Sequence, residues 1–259
     1  MNNVCIIIPW KGRPELRDTL AANSALFTKH NAEVIVVNCG GNSKELDLLL
    51  QGLKNTGLRH VSIPGCSFNR SLARNMGAHC TSSRYLFFLD CDIVLKSDVL
   101  NESLPVLNAG NCFVVLSRVH ETEPILSGLF WREDKIETLT LRDGRRAVVQ
   151  QFTANDGTRS GSGLLLVSKE NFLAVHGFNS QLVGWGFEDL DFQIRLQLVT
   201  NITCRKIGEA IHLTHAPDGL TGASRAEDRQ NNLRKCLKNY RNGSLMGTFL
   251  EDRQKWIPK

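Results

Sequence analysis

The chain has 259 residues, 42% of them hydrophobic and 22% charged, with a formal net charge of +5. That balance excludes a disordered or fibrous chain, and the length suits one large α/β domain or two small ones. The positive excess suits an anionic nucleotide or membrane surface, but no nucleic-acid-binding motif accompanies it and no run approaches the ~18 apolar residues that cross a bilayer.

The eight cysteines form no C-x-x-C pair, and several lie inside apolar runs. This reads as buried free thiols in a reducing compartment. The first residues, Met1 to Pro9, read as a strand and not as a signal peptide. A cytoplasmic protein is therefore the expectation.

In chain order, residues 4–8 form an apolar strand closed by Pro9, and Trp10-Lys11-Gly12-Arg13 makes a loop. Pro14 sits well in the first turn of a helix reaching residue 30. A second strand over 33–37 ends in Asn38-Cys39-Gly40-Gly41-Asn42, and Ser43 is expected to cap a helix over 44–53 with leucines at helical spacing. A strand over 59–63, a helix over 67–79 and a buried strand over 85–89 follow. Strand and helix alternating in this way indicate a parallel sheet covered on both faces. Ligands of such sheets bind at the carboxyl ends of the strands.

A helix over 97–107 and a strand over 112–116 come next. The pattern then loosens to residue 151, with a hairpin turn at Arg142-Asp143-Gly144-Arg145. A strand over 164–167, helices over 169–175 and 190–198, and short strands over 202–206 and 210–214 complete the first 218 residues. Residues 222–259 hold nine Lys/Arg against four Asp/Glu, so the whole net charge lies there. The organisation expected is one domain over 1–218 carrying a basic, mainly helical tail over 219–259. That tail either presents a solvated face or rests on an anionic membrane.

Four constellations carry chemistry. Asp90 and Asp92 end the apolar strand at 85–89, and in an extended chain residues i and i+2 point the same way. Paired carboxylates there suit Mg²⁺ or Mn²⁺ with positions left open for a diphosphate, although two solvated turn carboxylates would look the same. Phe68-Asn69-Arg70 opens a helix, where an aromatic can stack on a base and an arginine can meet phosphate. Gly184-Trp185-Gly186 leads into Glu188-Asp189: a glycine-flanked tryptophan on a mobile loop, then carboxylates that serve either as helix-start charges or as a general base. His212 and His215, three apart after a strand, offer imidazole nitrogens to a divalent ion. With Asp92 they would favour Mn²⁺ over Mg²⁺.

Taken in sequence order, Pro9-x-x-x-Arg13, Phe68-Asn69-Arg70 with Asn75 and Gly77, Asp90-x-Asp92, Gly184-Trp185-Gly186-x-Glu188-Asp189 and His212-x-x-His215 resemble the β-1,4-galactosyltransferases. They are equally similar to the polypeptide N-acetylgalactosaminyltransferases and chondroitin-type polymerase domains. All are inverting glycosyltransferases of the GT-A fold, and the likeness runs from about residue 4 to 218. It implies a mostly parallel GT-A sheet with a small additional β element.

The resemblance further implies that Pro9, Arg13, Asn38, Phe68, Arg70, Asp90, Cys91 and Trp185 hold a UDP-sugar. Asp92, His212 and His215 would hold Mn²⁺ or Mg²⁺, Glu188 would bind the acceptor and Asp189 would be the base. His212 stands where the galactosyltransferases have a methionine, Asn38 where an acidic residue often meets uracil, and Phe187 where a small residue is common. The activity implied is hexose or N-acetylhexosamine transfer to a glycan or lipid-linked acceptor in bacterial surface-polysaccharide synthesis. The competing readings are a nucleotidyltransferase, which needs a richer triphosphate loop than Trp10-Lys11-Gly12-Arg13, and an inactive nucleotide-sugar-binding module.

Overall fold

The computed structural model describes residues 3–53, 57–124, 128–215 and 222–256. Its first half alternates β1 (Val4–Trp10), α1 (Leu16–Lys29), β2 (Glu33–Cys39), α2 (Ser43–Leu50), β3 (Leu58–Ile63), α3 (Arg70–His79) and β4 (Tyr85–Phe88). Every residue of β1 and β4 is buried, as strands covered on both faces require. Strands β3, β2, β1 and β4 are parallel neighbours in that order.

The sheet continues through β5 (Ile93–Leu95), α4 (Val99–Asn108), β6 (Cys112–Glu121), β7 (Arg132–Thr140), β8 (Arg146–Ala154) and β9 (Thr158–Ser168). Here it becomes mixed: β9 lies between β4 and β6 and is antiparallel to both. β7 and β8 form the hairpin expected around residues 142–145, with Thr140 opposite Arg146. Helices α5 (Lys169–Ala174) and α6 (Glu188–Thr200) precede β10 (Thr203–Lys206) and β11 (Glu209–His212). β10 and β11 both run parallel to β6, and β5 is antiparallel to β11. The chain ends in α7 (Gly222–Arg241) and α8 (Phe249–Trp256).

Several local expectations shift. Asn42 caps α2, not Ser43: the Asn42 side chain accepts from the Lys44 and Glu45 amides, and the helix stops at Leu50. α3 starts at Arg70 because the Asn69 side chain caps it by accepting from Leu72 N–H. β6 and β9 outrun their apolar runs, since their distal halves pair with each other along a bulged, partly exposed edge.

Apolar side chains gather in three cores. One lies under α1 and α4, and a second lies between the sheet and α3, α5 and α8. The second includes Phe178 stacked on Phe192 at 4.1 Å and Phe88 set edge-on to Phe178 at 4.9 Å. Such ring pairs each add about 0.5–1.5 kcal/mol beyond area burial. Gly77 lets α3 close on the sheet, because a Cβ there would sit 2.4 Å from Ile7 Cγ2.

The third core joins β8, α6 and α7 through Ala147, Val149, Leu190, Ile194, Cys236 and Tyr240. The C-terminal helices are thus built into the structure. Tyr240 Oη donates to Asp191 at 2.8 Å, and Asn75 Nδ2 donates to Asp252 at 2.7 Å. No described helix is long and apolar enough to cross a membrane.

Candidate active site

The carboxyl ends of β1, β4 and β11, the start of α6 and the β7–β8 hairpin surround a cavity of about 1150 Å³. Pro9, Arg13, Phe68, Arg70, Asp90, Cys91, Asp92, Trp185, Glu188, Asp189, His212 and His215 all line it. Asn38 does not. Its carboxamide is used inside its own turn, donating to Gly41 C=O at 3.2 Å and accepting from Gly41 N–H at 2.8 Å. A Cβ on Gly41 would also strike buried Trp10, so this turn is closed around its own residues.

At one end of the cavity Asp92 meets both histidines. Its Oδ2 lies 3.2 Å from His215 Nε2 and 3.5 Å from His212 Nε2. One ligand atom from each of the three residues falls within 4.8 Å of the others. The pairing arises because β11 runs between β5 and β6: Leu213 N–H donates to the Asp92 carbonyl at 2.8 Å, and His212 lies opposite both Ile93 and Glu121.

Glu121, at the end of β6, bonds His212 Nδ1 and is itself held by Arg159 Nε at 3.1 Å. Carboxylate-to-histidine contacts of this kind fix the ring so that its other nitrogen faces an ion. Burial alone would raise the Asp92 carboxyl, but His212, His215 and Arg70 hold it below the usual range. Burial would likewise lower His212, yet Asp92 and Glu121 raise it. Two imidazole nitrogens and a carboxylate oxygen converging in this way fit a divalent cation.

Deeper in the cavity stands a second cluster. Arg74, one helical turn beyond Arg70, is only 1% exposed. Its Nη1 donates to Asp189, and its Nη2 lies 3.3 Å from Asp90 Oδ1. Arg70 Nη1 lies 3.7 Å from Glu188 Oε1. Burial and the adjacent Asp189 charge raise the Glu188 carboxyl despite Arg70 and Arg74.

Gly163 on β9 completes this cluster, since a Cβ there would be 2.7 Å from Asp189 Oδ2. α6 begins with Glu188, Asp189 and Asp191, where backbone amides favour negative charge, but it has no side-chain cap. The turn before it is formed by Gly184, Gly186 and Phe187, all at positive φ. For buried Phe187 that conformation is unusual and is held in place by the third core.

Elsewhere on the wall, Phe68 is 37% exposed with Lys11 Nζ 6.0 Å and Arg70 Cζ 5.9 Å from its ring centroid. Cys91, between the two aspartates, is buried, and burial raises its thiol further into the neutral form. Sequence reasoning did not single out Arg74, which stands behind the wall against Asp189, nor the lining residues Glu121, Gly163, Arg225 and Arg229. Only Arg74 left a signal, its position one turn beyond Arg70 on the same helix face.

A mixed sheet with carboxylates at its central strand ends, facing a hairpin and a glycine-flanked tryptophan, has the GT-A architecture. The family described as "Glycosyltransferase like family 2" matches residues 4–209, and the chain belongs to that family. A Drosophila melanogaster sequence named as a polypeptide N-acetylgalactosaminyltransferase 13 is 28% identical over 165 residues, covering 56% of this chain and 28% of its own length. The chain therefore spans little more than a quarter of that relative. The crystal structure of S. aureus TarS 1–349 superposes with a TM-score of 0.57 at 12% identity, over 97% of this chain and 71% of that one. At that identity the likeness concerns the fold.

Proposed function

We propose that the chain is a metal-dependent inverting glycosyltransferase that moves a hexose or N-acetylhexosamine from a UDP-sugar to a hydroxyl of a glycan or lipid-linked acceptor. The observation that carries this reading is the adjacency, in one cavity, of the Asp92–His212–His215 cluster and the Arg74-held Asp189. The first suits a cation bound to a diphosphate, and the second suits removal of a proton.

In this reading Asp92, His212 and His215 hold Mn²⁺ or Mg²⁺, which when bound supplies positive charge to the leaving diphosphate. Phe68 stacks on the uracil, and Arg13, Arg70 and Lys11 surround the phosphates. Pro9, Asp90 and Cys91 shape the nucleotide wall at the strand ends. Trp185 covers the sugar and excludes water, and Glu188 orients the acceptor.

The acceptor oxygen forms its new bond to the anomeric carbon while the bond from that carbon to the phosphate oxygen breaks. UDP departs with the electron pair, and the acceptor proton passes to Asp189. Arg74 donates to Asp189 and fixes the direction of its carboxylate.

The test is calorimetric titration of UDP and a panel of UDP-sugars with Mn²⁺, with Mg²⁺ and with chelator. Metal-dependent binding that disappears in Asp92→Ala supports the reading, and extra affinity for one UDP-sugar names the donor. No UDP binding with either metal overturns it. Retained donor affinity with no transfer to any acceptor would instead favour a binding module.

A further inference from the structure

One face of α7 is committed to the cavity. Asp228 accepts from Trp185 N–H at 3.0 Å, and Asn232 Nδ2 donates to the Val183 and Gly186 carbonyls at 3.1 and 2.8 Å. Arg225 and Arg229 complete that face at helical spacing, and both line the cavity. Arg225 Cζ lies 5.8 Å from the Trp185 ring centroid. The Arg229 stem lies along the loop at Gly186, where a Cβ would meet its Cβ and Cγ at an ordinary contact distance of 3.5 Å.

The other arginines of the cavity wall have partners: Arg13 meets His215, Arg70 meets Glu188 and Arg159 meets Glu121, and Arg74 behind the wall meets Asp189. Those same pairings occupy the carboxylates beside them. Among the described residues neither Arg225 nor Arg229 meets a carboxylate, and Arg225 Nε is buried with no hydrogen-bond partner. A buried guanidinium N–H without an acceptor is costly, and a ligand oxygen would remove that cost.

We infer that this face of α7 is an anion-binding subsite for the acceptor, which carries a carboxylate or a phosphate or sulfate ester close to the hydroxyl that reacts. Two guanidiniums beside a tryptophan plate match a planar, charged group borne on a sugar ring. The pair rests on the loop that leads directly into Glu188 and Asp189. That places it with the acceptor and not with the nucleotide. The inference rests on the glycosyltransferase reading, and it reaches past residue 209, where the family match ends.

The test compares binding of carboxymethyl, phosphorylated and neutral dextran oligosaccharides to the whole chain at 0.15 M salt, where diffuse surface attraction is screened. Wild type should bind an anionic dextran at least about tenfold tighter than the neutral one, and Arg225→Gln/Arg229→Gln should lose that preference. Which anionic dextran binds better separates carboxylate from phosphate. Arg234→Gln/Lys238→Gln, which removes equal charge from exposed positions of α7, should retain the preference.

Equal binding of charged and neutral dextrans, or equal loss in both double variants, overturns the subsite. Parallel UDP titrations with Mn²⁺ separate the two readings. If the Arg225/Arg229 variant loses UDP affinity as well, the pair belongs to the donor diphosphate and the acceptor assignment fails. If wild type binds no UDP yet discriminates the dextrans through Arg225 and Arg229, the donor reading falls and the anion site stands.

Discussion

Arg74, buried in the first turns of α3, ties Asp189 at the start of α6 to Asp90 at the end of β4. One guanidinium thus spans two halves of the cavity that are 115 and 16 residues distant from it in sequence. Because the group is fully desolvated, its charge is held by those carboxylates and by Glu188. Replacing it with methionine leaves buried Glu188 and half-buried Asp189 and Asp90 without this counter-charge, so a stability loss of about 3 kcal/mol is expected in urea unfolding. Arg74→Lys keeps the charge and loses the fork. That variant should fold and bind UDP normally while its kcat falls by about 10²-fold or more, the scale expected when a reacting group is misplaced by an ångström.

Gly163 offers a sharper probe of the same carboxylate. Gly163→Ala would put a methyl group 2.7 Å from Asp189 Oδ2 and rotate it away from the cavity. Turnover should fall by about 10²-fold with UDP affinity unchanged, as measured by steady-state kinetics and calorimetry side by side. A coincident loss of UDP affinity would mean that Asp189 serves the donor.

Glu121 contacts His212 from the side opposite Asp92. Glu121→Gln keeps the shape but weakens the hold on Nδ1, and Mn²⁺ affinity should drop by about 10–100-fold. His215→Ala and Asp92→Ala should abolish it. Mn²⁺ titration followed by the paramagnetic signal of the free ion reads all three variants without requiring activity.

The loop at Trp185 depends on backbone freedom. Gly184 has φ +76° and lies against the Asp228 carboxylate, which a Cβ would approach to 2.3 Å. Gly184→Ala should therefore detach the loop from α7. Faster proteolysis between residues 183 and 187 is expected, along with increased hydrolysis of the donor by water relative to transfer.

Acid stability has a source away from the cavity. Glu33, at the start of β2, accepts from Arg59 Nε and Nη2 at 3.0 and 2.7 Å and from Ser83 Oγ at 3.4 Å, and it also bonds Thr81. Burial would raise its carboxyl, but these partners bring it below its ordinary 4.5. A depressed folded value gives stability that is present above the unfolded value and lost as pH falls through the folded one. Glu33→Gln should cost about 1–2 kcal/mol at pH 7, and the gap should close as pH drops below about 4.5, as followed by urea midpoints.

Much of the cavity was legible because its residues follow local periodic rules. The two-residue repeat of a strand brings Asp90 and Asp92 to the end of one apolar run, and the Phe68-Asn69-Arg70 and Gly184-Trp185-Gly186 stretches announce helix starts. Their order along the chain carried the family resemblance. Other features have no local signature. β9 enters between β4 and β6 only through long-range pairing, and the free space in front of Asp189 depends on a glycine that this strand delivers. Arg74 reads in sequence as one more charge on a helix. Only packing removes its water and leaves Asp189 and Asp90 as its nearest counter-charges.

The tail shows the same division. Its composition announced a basic helix, while the direction of Arg225 and Arg229 was set by Asp228, Asn232 and Tyr240 docking α7 against the Trp185 loop and α6. Sequence by itself determined which residue types the cavity would contain and the strand ends on which most of them stand. Tertiary structure decided which charges meet, because an ion pair depends on distance and desolvation, and neither quantity is written in the spacing of residues along one chain.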